Sequence, residues 1–152
     1  GFGYSQLSQR YVDESQAAFV VPPAILGDER LEADWLAQVT AAQAAYVKAV
    51  DALMKKYEGV ADKIHRRKMA REAARSVLPN ATETKIVVSA NVRAWRTMLE
   101  LRCGEGAEQE IRRMAVATLR LFQGEAPSFF SDYEVYRAED GTESGRVKHH
   151  KV

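Results

Sequence analysis

The sequence predicts an α+β fold, rich in helix, with a few short strands of a partial sheet. Three observations predict it. Apolar residues recur at steps of three and four over long stretches, the period of a helix with one buried face. Ile86 to Val88 are three consecutive branched residues, which suits a strand. Pro22-Pro23, Pro79 and the Gly104/Gly106 pair stop the periodic stretches. At 152 residues the chain is long enough for one domain with a real core.

The elements follow in order. The opening stretch "GYSQLSQRY" (residues 3–11) is polar and shows no clear helical or strand period. Phe19, Val20 and Val21 are strand-like and end at Pro22. A polar link runs from Gly27 to Glu32. The clearest helix covers 33–57. There Trp35, Val39, Ala42, Tyr46, Val50, Leu53 and Tyr57 fall along one face, and Gly59 is a plausible stop. A second, basic helix runs from Asp62 until Pro79 ends it. Residues 84–90, "TKIVVSA", read as a strand whose branched residues suit burial on both sides. A third helix spans 91–103, with Trp95, Met98 and Leu99 inward. A fourth spans 107–122, with Ile111, Met114, Ala115, Thr118 and Phe122 on one side. Residues 1–138 are expected to belong to one domain. From about Glu139 the chain is charged and unpatterned, and 139–152 is expected to be a loose tail.

Composition narrows the function. Lys and Arg number 22 against 21 acids, a net charge of +1, which removes any global case for nucleic-acid or acidic-membrane binding. No apolar run approaches the length of a membrane span. Cys103 is the only cysteine, so no intrachain disulfide forms and the cytoplasm is the expected compartment. His65, His149 and His150 have no metal-ligand spacing, and no glycine-rich phosphate loop is present.

Four places could carry chemistry. On the second helix Lys68, Arg71 and Arg75 follow Ile64 at four, seven and eleven residues and share a face. Such a run is ordinarily a solvated face; its functional reading is a phosphate site. Arg102 falls four residues after Met98 and seven after Trp95, on the apolar side of its helix. A charge there needs either an ion-pair partner or a ligand. Asn91 and Arg93 lie at a strand-to-helix junction, where an Asn is commonly an N-cap and the backbone N–H groups can hold an anion. Cys103 lies at a helix C-terminus, the wrong end to stabilise a thiolate, and reads as structural.

Three stretches together carry a resemblance. "YSQLSQRYV", "RRKMAREAARSVLPNATETKIVVSANVRAWRTMLELR" and "EIRRMAVATLR" stand in the order and spacing of the flavin-dependent thymidylate synthases. The chain resembles that family from Gly3 to about Tyr136. Counting back from Ser8, the family's Arg-His-Arg would fall immediately before Gly1, so the chain is expected to be the C-terminal part of such an enzyme, a truncated thymidylate-synthase-complementing fold.

The resemblance implies a homotetramer of α+β subunits with active sites at subunit interfaces. It implies methylation of dUMP to dTMP, with FAD, NADPH and methylenetetrahydrofolate. In such enzymes no cysteine attacks the pyrimidine; an arginine favours the ionised ring nitrogen, and the matching residue is Arg102. Gln6, Ser8, Gln9, Arg10, Lys68 and Arg75 match dUMP-binding positions. Asn91, Arg93 and Thr97 match positions near FAD. The chain departs from the pattern at Gly106, where His is common, and at Cys103, where Ala or Leu is common.

Two other readings stand beside the enzyme. One is a dUMP-binding remnant without a complete flavin site. The other is a helical nucleic-acid-binding module using residues 63–75, which salt would weaken and dUMP would leave unchanged.

Overall fold

The computed structural model describes residues 1–149, and its four long helices begin where the sequence supplies capping side chains. The elements are β1 (Phe2–Gln6), α1 (Glu29–Lys56), α2 (Lys63–Ala74), β2 (Ile86–Ala90), α3 (Val92–Arg102), α4 (Gln109–Glu125), α5 (Pro127–Phe130), β3 (Tyr133–Arg137) and β4 (Glu143–Val147). The α+β class is as the sequence predicts. β1 pairs with β2, and β3 pairs with β4, in two small sheets. The chain divides into two compact units. One holds Ser5–Val87; the other holds Gly1–Tyr4 and the chain from Val88 onward.

In the Ser5–Val87 unit, α1 starts four residues before the expected Ala33. Asp28 accepts hydrogen bonds from the N–H groups of Arg30 and Leu31, and Glu29 and Glu32 favour the positive end of the helix. The seven residues expected on one face are all buried or half-buried, Val39 and Tyr46 most deeply. Asp62 caps α2, which packs on α1 with Ala70 and Ala74 buried. The helix tightens into a 3-10 turn over Arg75–Val77, and Leu78 is extended ahead of Pro79. Phe19–Val21 is not a strand. Phe19 makes one isolated bridge to Thr82, because Pro22 cuts the segment short.

In the other unit Asn91 caps α3 and Glu108 caps α4. The core gathers Leu99 and Cys103 of the α3 end, Ala115, Val116 and Leu119 of α4, then Phe130, Tyr133 and Val147. Phe2, Trp95 and Phe122 extend it as edge-to-face rings with centroids 5.5 and 5.0 Å apart.

Four expectations are corrected. The polar opening forms strand β1, since backbone pairing to β2 needs no apolar alternation. Ile86 and Val87 are not buried; they are 49% and 71% exposed, because the sheet has only two strands. The buried face of α4 runs through Arg112, Ala115, Val116 and Leu119, while Met114 is half-exposed. The segment after Glu139 is not loose up to residue 149. It turns through Gly141 (φ +77°) into β4, with Tyr133 opposite Val147 and Arg137 opposite Glu143, and it buries Ser144 and Val147. Residues 150–152, the rest of the expected tail, lie outside the described residues.

Candidate functional site

Each unit carries one cluster of chemically suggestive residues. In the Ser5–Val87 unit, the loop after β1 folds back as a turn. Ser8 accepts the Tyr11 and Val12 N–H groups on its carbonyl and the Arg10 N–H on its hydroxyl. This brings the loop to α2. The Tyr11 ring is approached by two cations, with Arg10 Cζ at 5.7 Å and Lys68 Nζ at 5.4 Å from its centroid. Arg10, Tyr11, Lys68, Arg67, Arg71 and Ile64 line a small cavity of about 100 Å³. Arg10 has one distant acid, Glu72 at 3.9 Å. A small, cation-rimmed cavity of this kind suits a phosphate.

Arg71 departs from its expected place on a solvated face. It donates to the Tyr11 carbonyl at 2.6 Å and to the Asp13 carboxylate at 2.9 Å, so it tethers the loop. Arg71 and the Ser15 N–H hold the Asp13 carboxyl below its ordinary range, the Ser15 bond being the larger cause. Arg75 stands one turn further, exposed in the 3-10 turn, and does not line this cavity. Gln6 is exposed at the end of β1 and Gln9 is half-buried in the loop; neither lines the cavity.

In the other unit, a cavity of about 430 Å³ is walled by Phe2, Tyr4, Trp95, Met98, Ile111 and Met114, with Thr97 and Arg102 also on its lining. Arg102 is the one charged residue among those lining it. Its side chain is exposed rather than buried on the apolar face, because α3 ends there and opens it to water. Among the described residues its guanidinium makes no ion pair. Asn91 is an N-cap: its carboxamide oxygen accepts the Ala94 N–H at 2.9 Å. Arg93 is exposed in the first turn, and the Thr97 hydroxyl donates back to the Arg93 carbonyl at 3.0 Å. Cys103 is fully buried, and burial pushes its thiol up to about 11, consistent with a structural residue.

Sequence reasoning missed Tyr11, Arg96 and Arg112. Tyr11 shows only when the loop meets α2. Arg96 grips Asp132 through both guanidinium nitrogens, at 2.7 and 2.6 Å, and lies over the Tyr133 ring. Arg112 had a readable signal. It precedes Ala115 by three and Leu119 by seven, which puts it on the core face of α4.

Comparison with known proteins agrees with this picture. The family model described as "Thymidylate synthase complementing protein" matches residues 2–128. The chain belongs to that family. It is 51% identical over 146 residues to a protein of Mycobacterium sp. (strain KMS) named flavin-dependent thymidylate synthase, covering 93% of this chain and 58% of that protein. It is 49% identical to the protein of that name from Mycobacteroides abscessus and 46% identical to the one from Mycobacterium avium (strain 104), over 93% of this chain and 57% of each relative. The chain thus spans somewhat over half the length of these relatives.

Proposed function

We propose that this chain is the dUMP-handling part of a flavin-dependent thymidylate synthase, which makes dTMP by reductive methylation in the cytoplasm and works as a homotetramer. The observation that carries the reading is Arg102, a guanidinium without an ion pair among the described residues, on the lining of an apolar cavity and at the position that the resemblance matches to a ring-activating arginine. A guanidinium in such a place stabilises negative charge on the ring nitrogen of uracil. The Ser5–Val87 unit, taken by itself, offers Arg10 and Lys68, with Ser8, Gln6 and Gln9 on the adjoining loop, for a nucleotide phosphate and sugar, and Arg75 adds a cation at the end of α2.

The residues present fit a flavin. Arg93 is an exposed cation on the first turn of α3, where helix N–H groups lack partners, and that suits a pyrophosphate. Trp95 and Met98 of the cavity wall, with Thr97 beside them, suit an aromatic ring system. FAD, when bound, supplies reducing equivalents taken from NADPH, and methylenetetrahydrofolate supplies the carbon.

One observation favours a second reading, a dUMP-binding unit without turnover. The Asn91 oxygen and the Thr97 hydroxyl already bond within α3, which leaves the flavin side fewer free groups than the nucleotide side. Flavin absorbance after incubation with FAD and desalting, with and without dUMP, separates the two. Retained flavin supports the enzyme, and bound dUMP without flavin supports the second reading. In an active enzyme Arg102→Ala is expected to weaken dUMP binding and also to lower kcat by at least about tenfold, and Arg75→Ala to raise the dUMP KM with a smaller change in kcat. Unchanged turnover in the Arg102 variant overturns its assignment.

A further inference from the structure

We propose that Arg112 is a positioning residue that fixes the turn between α3 and α4, and through it the place of Arg102; the inference rests on the reading of Arg102 as a dUMP contact. Arg112 is 3% exposed, a rare burial for an arginine. Its fork spans two elements. One terminal nitrogen donates to the Glu105 carbonyl at 3.4 Å, and the other pairs with the Asp140 carboxylate in the β3–β4 turn. Asp140 is itself held by Thr142, whose hydroxyl and N–H both donate to its Oδ1.

Two further ties act on the same turn. The Gly145 N–H of β4 donates to the Cys103 carbonyl at 2.8 Å, and the Tyr136 hydroxyl donates to the Glu105 carboxylate at 2.8 Å. The residues that follow Arg102 are therefore pinned to the β3–β4 hairpin at Cys103 and Glu105. These carbonyls lie just past the end of α3, where helix geometry offers them no partner. Ile111 and Met114, from the neighbouring turn of α4, line the cavity that Arg102 lines. Arg112 thus braces α4 and the α3 end together.

The arrangement is not the one that stability alone favours. Among the described residues the Nε of Arg112 is buried without a partner, and a buried guanidinium with an unmet N–H is weaker than an apolar side chain of similar volume. Arg112→Met removes that charge and leaves Asp140 behind with its side chain 48% exposed, so the variant is expected to fold. Asp140→Asn breaks the same pair from the outside and is the second variant.

The test combines two readouts on the full 152-residue chain. Amide hydrogen exchange reads the turn without ligand. Residues 103–108 are expected to exchange at least about tenfold faster in Arg112→Met and in Asp140→Asn, with the α1 amides unchanged. Calorimetric titration with dUMP reads the consequence. Arg112→Met is expected to weaken binding about tenfold when Arg102 is present and less than about twofold in an Arg102→Ala background. A merely structural loss would weaken both backgrounds alike, and that result overturns the proposal. Unchanged exchange in both variants overturns it as well. If Arg102→Ala binds dUMP like the parent chain, the dUMP reading of Arg102 fails, and the positioning role falls with it. That failure is recognisable because the parent comparison shows it without any Arg112 variant.

Discussion

Cys103 shows how one residue's setting decides its chemistry. A lone thiol next to an arginine could pass for a nucleophile, yet its side chain is enclosed by the α3–α4 core and faces no solvent. Burial raises it from 9.0 to about 11, and burial likewise pushes the Tyr133 phenol up to about 12. Both groups bind their protons more tightly folded than unfolded. Their contribution to stability is complete below about pH 9 and is lost as pH climbs through 11 and 12. Two outcomes are expected. The native chain stays unreactive to a thiol reagent at pH 8, with reaction appearing in step with unfolding by denaturant. The denaturation midpoint falls between pH 9 and 11, and less so in Cys103→Ala. Rapid labelling of the folded chain would contradict this account.

At the scale of elements, the β3–β4 hairpin and the end of α3 are fitted to each other closely. A Cβ on Gly145 would lie 2.9 Å from the Cys103 Cβ and 3.2 Å from a Leu119 methyl, and the Cys103 Cβ is held by its own backbone. Gly145→Ala is therefore expected to destabilise the chain by about 1–3 kcal/mol through overpacking, read as a lowered urea midpoint. Gly106→Ala is the control. It has open space around it and is expected to leave the midpoint nearly unchanged. The same elements show what a pattern conveys. The face of α1 was legible because seven apolar residues keep one period. The face of α4 was misplaced by part of a turn, because Met114 reads as core by type while Arg112 reads as surface. Only the neighbours, Asp140 and the Glu105 carbonyl, make a buried arginine tolerable there.

At the scale of the molecule, apolar surface is widely exposed. Val87 is 71% exposed, Leu121 68%, Leu36 59% and Phe129 53%, more than isolated surface residues require. Strands β1 and β2 form a sheet of only two strands, with further backbone groups open at its edges. The chain is expected to self-associate. Sedimentation velocity over a hundredfold concentration range should show a species larger than 17.0 kDa; a monomer at every concentration would count against the proposed tetramer. No helix among the described residues is long and apolar enough to cross a membrane.

The sequence by itself determined the α+β class, the number and order of the helices longer than one turn, the capping role of Asn91 and the resemblance that singled out Arg102. These are local facts, written in spacing, caps and motif order, and a single chain carries them before it folds. The tertiary structure alone decided which cations are tethers and which make no ion pair among the described residues. Arg71 and Arg112 look like Arg75 and Arg102 in the sequence, yet the first pair bonds carboxylates brought from 58 and 28 residues away. It also decided that the segment after Glu139 is a strand, because that strand's stability comes from pairing with β3 and pressing on Cys103, contacts that no local pattern encodes.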